Sequence, residues 1–296
     1  MTKIKMHDNE VDIDESLVRQ LLSEQFPQWA DLSIISVQSA GTDNAIYRLG
    51  VDKCVRLPRI SEAAKDVEKE QRWLPLFAST LPLPIPVPLG KGRPTERYPM
   101  GWSVYPWIEG HNATNESLAN QHKAAIDLAQ FIMALQRIDI AGAPSSRRGV
   151  PLVEQDSETR HAIKSLRGSI DMQAVTAVWE ESIHASIWSK PPVWTHGDLL
   201  PSNLLVREGK LCAVIDFGLM GVGDPACDLL PAWSVFSAST RQIFRATVGV
   251  DEATWLRGRG WALSIALIIL PYYEKTNPGL VAIAKRILSE ILNERE

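Results

Sequence analysis

Cysteine is scarce in this chain. Cys54, Cys212 and Cys227 are the only three in 296 residues, too few and too scattered for a disulfide framework or a zinc knuckle, so they read as reduced thiols. A basic excess is missing as well. Lys and Arg number 31 against 35 Asp and Glu, a formal charge of −4, which argues against a protein that lives on the nucleic-acid backbone. Long apolar runs are absent. The start, MTKIKMHDNE, carries none, so no secretory signal is expected. The uncharged apolar stretch Trp261 to Tyr273 is too short to span a bilayer and reads as a buried helix. There is no Walker A sequence, and no G-x-S-x-G elbow to offer a serine nucleophile. No internal repeat and no low-complexity tract appears. What remains is a chain with 45% hydrophobic and 22% charged residues, able to bury a core without staples. The expectation is a cytoplasmic enzyme with no nucleic-acid and no membrane partner. Two sequons, at Asn112 and Asn115, carry little weight in a protein that is not exported.

Periodicity changes along the chain. Ile13 to Phe26 has helical spacing and stops at Pro27. Short β-like runs follow at Leu32–Val37, Ala45–Leu49 and Cys54–Leu57. Ser61 to Leu74 reads as an amphipathic helix that Pro75 should end or kink. Leu81–Leu89, with four alternating prolines, reads as a polyproline-like or edge segment and a stiff crossing. Met100–Ile108 reads as a strand. Later segments are mostly helical: 117–137, 157–164, 174–187, 231–248, 252–270 and 280–291. A β-like island at 204–206 and 211–217 turns at Glu208-Gly209-Lys210. Strands first and helices later predict an α+β fold with two lobes. The expected division is 1–105 and 106–296, with the boundary between Tyr105 and Gly110.

The chemistry-bearing stretch is Thr195-His196-Gly197-Asp198-Leu-Leu-Pro-Ser-Asn203, followed by Val214-Ile-Asp216-Phe217-Gly218. A carboxylate and a carboxamide stand five residues apart, and a second carboxylate follows thirteen residues later. Phosphoryl transfer from a nucleotide needs such a set: one carboxylate to orient the acceptor hydroxyl, and a carboxylate with an amide to hold Mg²⁺ against phosphates. A surface-turn origin for these Asp and Asn residues is the plain alternative. Gly221-Val-Gly223-Asp-Pro-Ala226 matches a dinucleotide-binding glycine pattern. It lies late in the chain and contains Pro225, so it is set aside.

His196, Asp198 and Asn203, with Asp216-Phe217-Gly218, fit the kinase pattern H-x-D-x-x-x-x-N followed by D-F-G, with Gly197 in place of the protein-kinase Arg. In this the chain resembles the aminoglycoside phosphotransferase family, small-molecule kinases that include macrolide phosphotransferases, from about Leu32 to about Tyr273. The resemblance implies a protein-kinase-like fold, with a small antiparallel-sheet N-lobe that covers the nucleotide. A larger helical C-lobe would hold the catalytic loop, metal site and acceptor pocket. It implies Mg²⁺ as cofactor and ATP or GTP as co-substrate. Asp198 is then the catalytic carboxylate, Asn203 and Asp216 are the metal ligands, and His196 is a structural brace. Asp224 would cap the helix that starts at Pro225, and Asp228 would hold the catalytic loop from behind. Ser39, Gly41, Thr42 and Asn44 would cover the phosphates. Arg56 would stand where the family usually has Lys, with Glu70 as its partner and Glu68 as the fallback. The backbone of Ser103, Val104 and Tyr105 would read the base edge. Trp233, Trp255, Trp261, Tyr272 and Tyr273 are either core residues or part of the acceptor pocket, with Glu252 and Glu274 as possible partners of a cationic acceptor. The expected activity is transfer of the γ-phosphate to a hydroxyl of an aminoglycoside- or macrolide-like antibiotic, with antibiotic resistance as the associated role. A kinase of an ordinary hydroxylated metabolite and a nucleotide-binding pseudokinase stand as alternatives. The partners implied are a nucleotide and a small-molecule acceptor.

Overall fold

A computed structural model describes residues 10–37, 43–113 and 118–294. The chain divides into two compact units, Met1–Ser79 with Pro84–Glu109, and Thr80–Leu83 with Gly110–Glu296.

In the first unit, helix α1 (Glu15–Gln25) starts where Asp14 accepts from the Leu17 N–H at 2.8 Å, an N-cap that satisfies an orphan donor. That bond and the Ser16 hydroxyl hold the Asp14 carboxyl below its ordinary range. Leu17, Val18, Leu21 and Leu22 face inward. Strands β1 (Ile34–Val37), β2 (Asn44–Leu49) and β3 (Lys53–Pro58) follow. On β2 alternate residues Ala45, Tyr47 and Leu49 are buried, the period-2 pattern of a strand with one covered face. Helix α2 (Ser61–Phe77) continues past Pro75, so the proline does not end it. Trp73, Leu74 and Phe77 are all buried. Packing of that apolar stripe outweighs the one backbone bond that Pro75 forfeits. Residues 81–89 form no regular element, and the edge strand is the short β4 (Gly90–Gly92). With β5 (Trp102–Pro106) the antiparallel sheet has the order β1-β2-β3-β5-β4.

The second unit opens with β6 (His111–Asn112) and α3 (Gln121–Gln136), capped by Asn120. Then come α4 (Asp156–Ser165), α5 (Met172–Ile183) and the three-residue strand β7 (Val193–Thr195). Strands β8 (Leu204–Arg207) and β9 (Lys210–Val214) form the hairpin expected at Glu208-Gly209, both at positive φ (53° and 72°), the conformation a tight hairpin turn requires. Strand β10 (Gly221–Gly223), where sequence suggested only a spurious dinucleotide motif, pairs antiparallel with β7. The run expected as one helix over 231–248 is two, α6 (Pro231–Ser234) and α7 (Ala238–Val248). The break is stabilised from a distance: the Arg286 guanidinium donates to the carbonyls of Ser234, Val235 and Phe236 at 3.1, 3.2 and 3.3 Å. Helix α8 (Glu252–Tyr273) is buried along most of its length, packed by α4, α5, α9 (Pro278–Asn293) and the 3-10 turn Pro225–Leu229. It also passes through a proline, Pro271. No helix among the described residues is long and apolar enough to cross a membrane.

Candidate active site

Strand β7 delivers the chain to Thr195, and the backbone then turns at Gly197 with φ of +80°. A Cβ at Gly197 would lie 3.0 Å from the Leu219 carbonyl oxygen, so both the left-handed backbone and the close approach call for glycine. Asp228 holds this turn. Its fully buried carboxylate accepts the N–H of His196 at 2.8 Å and of Gly197 at 2.7 Å. Burial pushes its pKa up to about 6, against the pull of those two donors.

His196 is also fully buried. Its Nδ1 accepts from the Asp198 N–H at 3.2 Å and its Nε2 faces the Ile215 carbonyl at 3.1 Å. The Nε2–H tautomer satisfies both contacts. Burial lowers its pKa, and its ring lies 4.5 Å from that of Phe217. This is a neutral brace between the catalytic loop and the Asp216 segment.

Asp198 follows, with both carboxylate oxygens engaged. Asn203 Nδ2 donates to Oδ2 at 2.9 Å and to the Asp198 carbonyl at 2.8 Å. Arg148 Nη1 donates to Oδ1 at 2.5 Å and to the Gly197 carbonyl at 2.9 Å. Asn203 closes the 3-10 turn Pro201–Asn203, and its own carbonyl accepts from the Ile215 N–H at 2.9 Å. That bond brings Asp216 beside it. Asp216 sits at φ +64°, a left-handed conformation that costs a non-glycine residue about 1–2 kcal/mol. Among the described residues no group of three or more His, Cys, Asp or Glu gathers to hold a metal. With Nδ2 committed to Asp198, Asn203 would offer Oδ1 to a cation, and Asp216 its carboxylate. Two hard oxygen donors fit Mg²⁺, which binds through one or two protein groups and takes its remaining ligands from phosphates and water. Asp224 caps the following turn through the Ala226 N–H (3.0 Å), with Pro225 at its first position, and pairs with the buried Arg257 at 2.6 Å.

In the first unit Arg56 on β3 donates to Glu70 Oε1 at 2.7 Å, and Tyr105 on β5 donates to Glu70 Oε2 at 2.5 Å. Burial and the adjacent carboxylate raise the Tyr105 pKa well above its usual value, so the hydroxyl stays a donor. The Glu70 side chain is only 3% exposed, and Glu68 instead pairs with Lys91. Asn44, at the start of β2, lines a cavity of about 10 Å³ with Arg56, Glu70, Ser103 and Tyr105. Ser39, Gly41 and Thr42 lie outside the described residues. Ser103 and Val104 sit between β3 and β4 in the sheet. Their backbone is flanked on both sides, which corrects the expectation that it is presented to a base. Only the end of the strand, from Tyr105 onward, is clear of β4.

Trp233, Trp255 and Trp261 are core residues, at most 3% exposed, whereas Tyr272 is 57% exposed. Glu252 is paired with Arg245. Two residues were missed by sequence reasoning. Arg148 lies 50 positions before its partner, in a stretch without periodicity. The Tyr105 hydroxyl was passed over because only the strand's backbone was considered. The sole local hint for Arg148 is the Arg147-Arg148 pair ahead of Gly149.

Comparison with known proteins agrees with this geometry. Residues 35–261 match the family described as the phosphotransferase enzyme family. An aminoglycoside 3'-phosphotransferase of Escherichia coli is 32% identical over 111 residues; that match spans 32% of this chain and 41% of the relative. The GDP and kanamycin complex of APH(2")-IIia superposes with a TM-score of 0.76 at 19% identity, covering 95% of this chain and all of that one. The apoenzyme of macrolide 2'-phosphotransferase MphH from Brachybacterium faecium gives 0.62 at 18% identity, covering 95% and 98% of the two chains. At these identities the solved structures establish the protein-kinase-like fold. Taken with the Asp198, Asn203 and Asp216 arrangement and the family match over most of its length, the chain belongs to the phosphotransferase enzyme family.

Proposed function

We propose that this protein is a Mg²⁺-dependent small-molecule kinase that moves the γ-phosphoryl group of ATP or GTP to a hydroxyl of an aminoglycoside- or macrolide-like antibiotic. The observation that carries the reading is the clamped Asp198, with Asn203 on Oδ2 and the Asn203–Ile215 backbone bond bringing Asp216 alongside. Asp198 orients the acceptor hydroxyl and takes its proton. Asn203 Oδ1 and Asp216 would hold Mg²⁺, which when bound neutralises phosphate charge. His196 and Asp228 keep the loop from moving. Because the phosphoryl transition state is loose, such positioning is most of what a protein contributes. In the first unit, Arg56, held by Glu70, whose other oxygen accepts from Tyr105, is the cation for the nucleotide phosphates, and Ser39, Gly41, Thr42 and Asn44 are their cover. The acidic net charge of −4 favours cationic acceptors. A cytoplasmic setting, an antibiotic-resistance role and the absence of nucleic-acid or membrane partners belong to the same reading.

A transfer screen tests it. Purified protein with Mg²⁺ is given ATP or GTP against aminoglycosides, macrolides and hydroxylated metabolites, with Asp216→Ala as the blank and product mass as the readout. A phosphorylated antibiotic absent from the blank is the expected result. Product only from a common metabolite would replace the acceptor class. Nucleotide binding without any product would favour a binding-only protein.

A further inference from the structure

The catalytic loop carries no cation of its own. Gly197 occupies the position of the protein-kinase Arg, and its backbone leaves no room for a side chain. Among the described residues, the cation paired with Asp198 is Arg148, from the segment between α3 and α4. That segment is built to deliver it. Val222 N donates to the Pro144 carbonyl at 2.8 Å, Ser146 N to Val222 O at 3.0 Å, and Asp224 N to Gly149 O at 2.8 Å. The stretch thus lies along β10 like an added strand. Ser146 Oγ then accepts from the N–H of both Arg148 (3.2 Å) and Gly149 (3.0 Å), and from the Thr195 hydroxyl (3.1 Å). A Cβ on Gly221 would fall 2.5 Å from Ser146 N, and one on Gly223 would fall 2.2 Å from Gly149 O, so the contact is backbone against backbone. The guanidinium spends Nη1 on Asp198 Oδ1 and the Gly197 carbonyl, and its side chain remains 26% exposed.

We infer that Arg148 is a positioning residue for phosphoryl transfer: with Asn203 on the other oxygen, it fixes the plane of the Asp198 carboxylate toward the acceptor hydroxyl. The inference rests on the kinase reading above. In the step it serves, the acceptor oxygen bonds to the γ-phosphorus as its proton passes to Asp198. The bond from that phosphorus to the β,γ-bridging oxygen breaks, and its electron pair leaves with the nucleoside diphosphate. Each Asp198 oxygen keeps a second lone-pair site for that proton. Arg148 and Asn203 fix the direction in which those sites point.

The test is a double-mutant cycle of Arg148→Ala with Asp198→Ala, read in two ways. The first reading is Mg²⁺-dependent transfer from ATP and GTP to the full acceptor panel of the transfer screen, the aminoglycosides, macrolides and hydroxylated metabolites. Arg148→Ala should lower kcat roughly 100-fold, the scale of a displaced reacting group, with nucleotide KM within about threefold of wild type. It should cost nothing further once Asp198 is alanine. Guanidinium ion should restore part of the loss in Arg148→Ala, and Arg148→Lys should retain more activity than Arg148→Ala. A merely structural arginine would lower kcat alike in both backgrounds and show no rescue, which would overturn the inference. The second reading is the urea-unfolding midpoint of the same four proteins. Arg148→Ala should shift the midpoint with Asp198 present and not with alanine there; additive shifts would show that the pair does not exist in solution and would also overturn it. A coupled midpoint without transfer by the wild type would leave the ion pair standing, and would defeat the kinase reading together with the catalytic use of the pair.

Discussion

Replacing Asp228 by asparagine separates what this buried carboxylate does for the catalytic loop from what it does to the fold. Asp228→Asn keeps the volume and one acceptor oxygen, but turns an NH₂ toward one of the two backbone N–H groups, His196 or Gly197, that the carboxylate now accepts. A buried donor left without an acceptor costs about 1–3 kcal/mol. The carboxylate itself is also costly to keep ionised, because burial raises its pKa from 3.8 to about 6. A shift of roughly two units corresponds to on the order of 3 kcal/mol. The folded state binds this proton more tightly than the unfolded state does. The stability associated with it is therefore fully present below about pH 4 and is lost as the pH rises through about 6. Asparagine does not titrate. Measured by urea unfolding at several values between pH 4.5 and 7.5, the variant should gain on the wild type by up to that amount as pH rises. At pH 7.5 its kcat should fall at least tenfold, because one anchor of the Gly197 turn is gone and a small displacement of Asp198 is costly. Wild-type activity should decline as pH falls through about 6, when Asp228 takes up its proton. Parallel stability profiles for the two proteins, or a variant with full kcat, would refute this account.

Four further changes test the rest of the site. Asp198→Asn should leave Mg²⁺-nucleotide binding intact by thermal shift while lowering transfer by about 10²–10⁴-fold; Asp216→Ala should abolish the metal-dependent thermal shift as well. Arg56→Met leaves Glu70 buried without its cation, so chemical denaturation should show a loss of about 3–5 kcal/mol, and nucleotide KM should rise. Gly197→Ala forces a Cβ into left-handed backbone 3.0 Å from Leu219 O; it should cost about 1–2 kcal/mol from the backbone alone, with a larger proportional loss in kcat than in nucleotide affinity.

The parts of this site that could be read from sequence are those in which neighbours in chain are neighbours in space. His196, Asp198, Asn203 and Asp216 lie on one loop and one hairpin, so spacing alone places them together. Glu70 was picked out by helical spacing from Leu74, and the structure sets it against Arg56. Asp228 was legible as a brace through the family resemblance that its segment carries. Other features depend on distant partners. Arg148 reaches Asp198 only because a glycine-lined ribbon accepts the 144–149 segment. The break between α6 and α7 depends on Arg286, more than fifty residues away at its Ser234 contact. Pro75 was expected to end or kink its helix, yet α2 carries on to the buried Phe77. Strands of three residues, two of them glycine in β10, carry no periodic signal at all. Thr80–Leu83 belongs with the later unit, and the main boundary falls after Glu109.

Helix α8 has a consequence for how the second unit folds. It is enclosed by α4 and α5 from earlier in the chain and by α9 from later in it, and it carries buried Arg257 and Arg259 whose partners, Asp224 and Glu181, lie on other elements. No subset of these helices can close around α8 and leave a finished surface. These helices should therefore form and melt together, and a chain interrupted before Pro278 would expose the α9-facing side of α8, which is buried along most of its length. Loss of the last sixteen-residue helix should thus loosen α8 and, through the Arg257–Asp224 pair, the turn that carries Asp228, although its own residues lie far along the chain from Asp198.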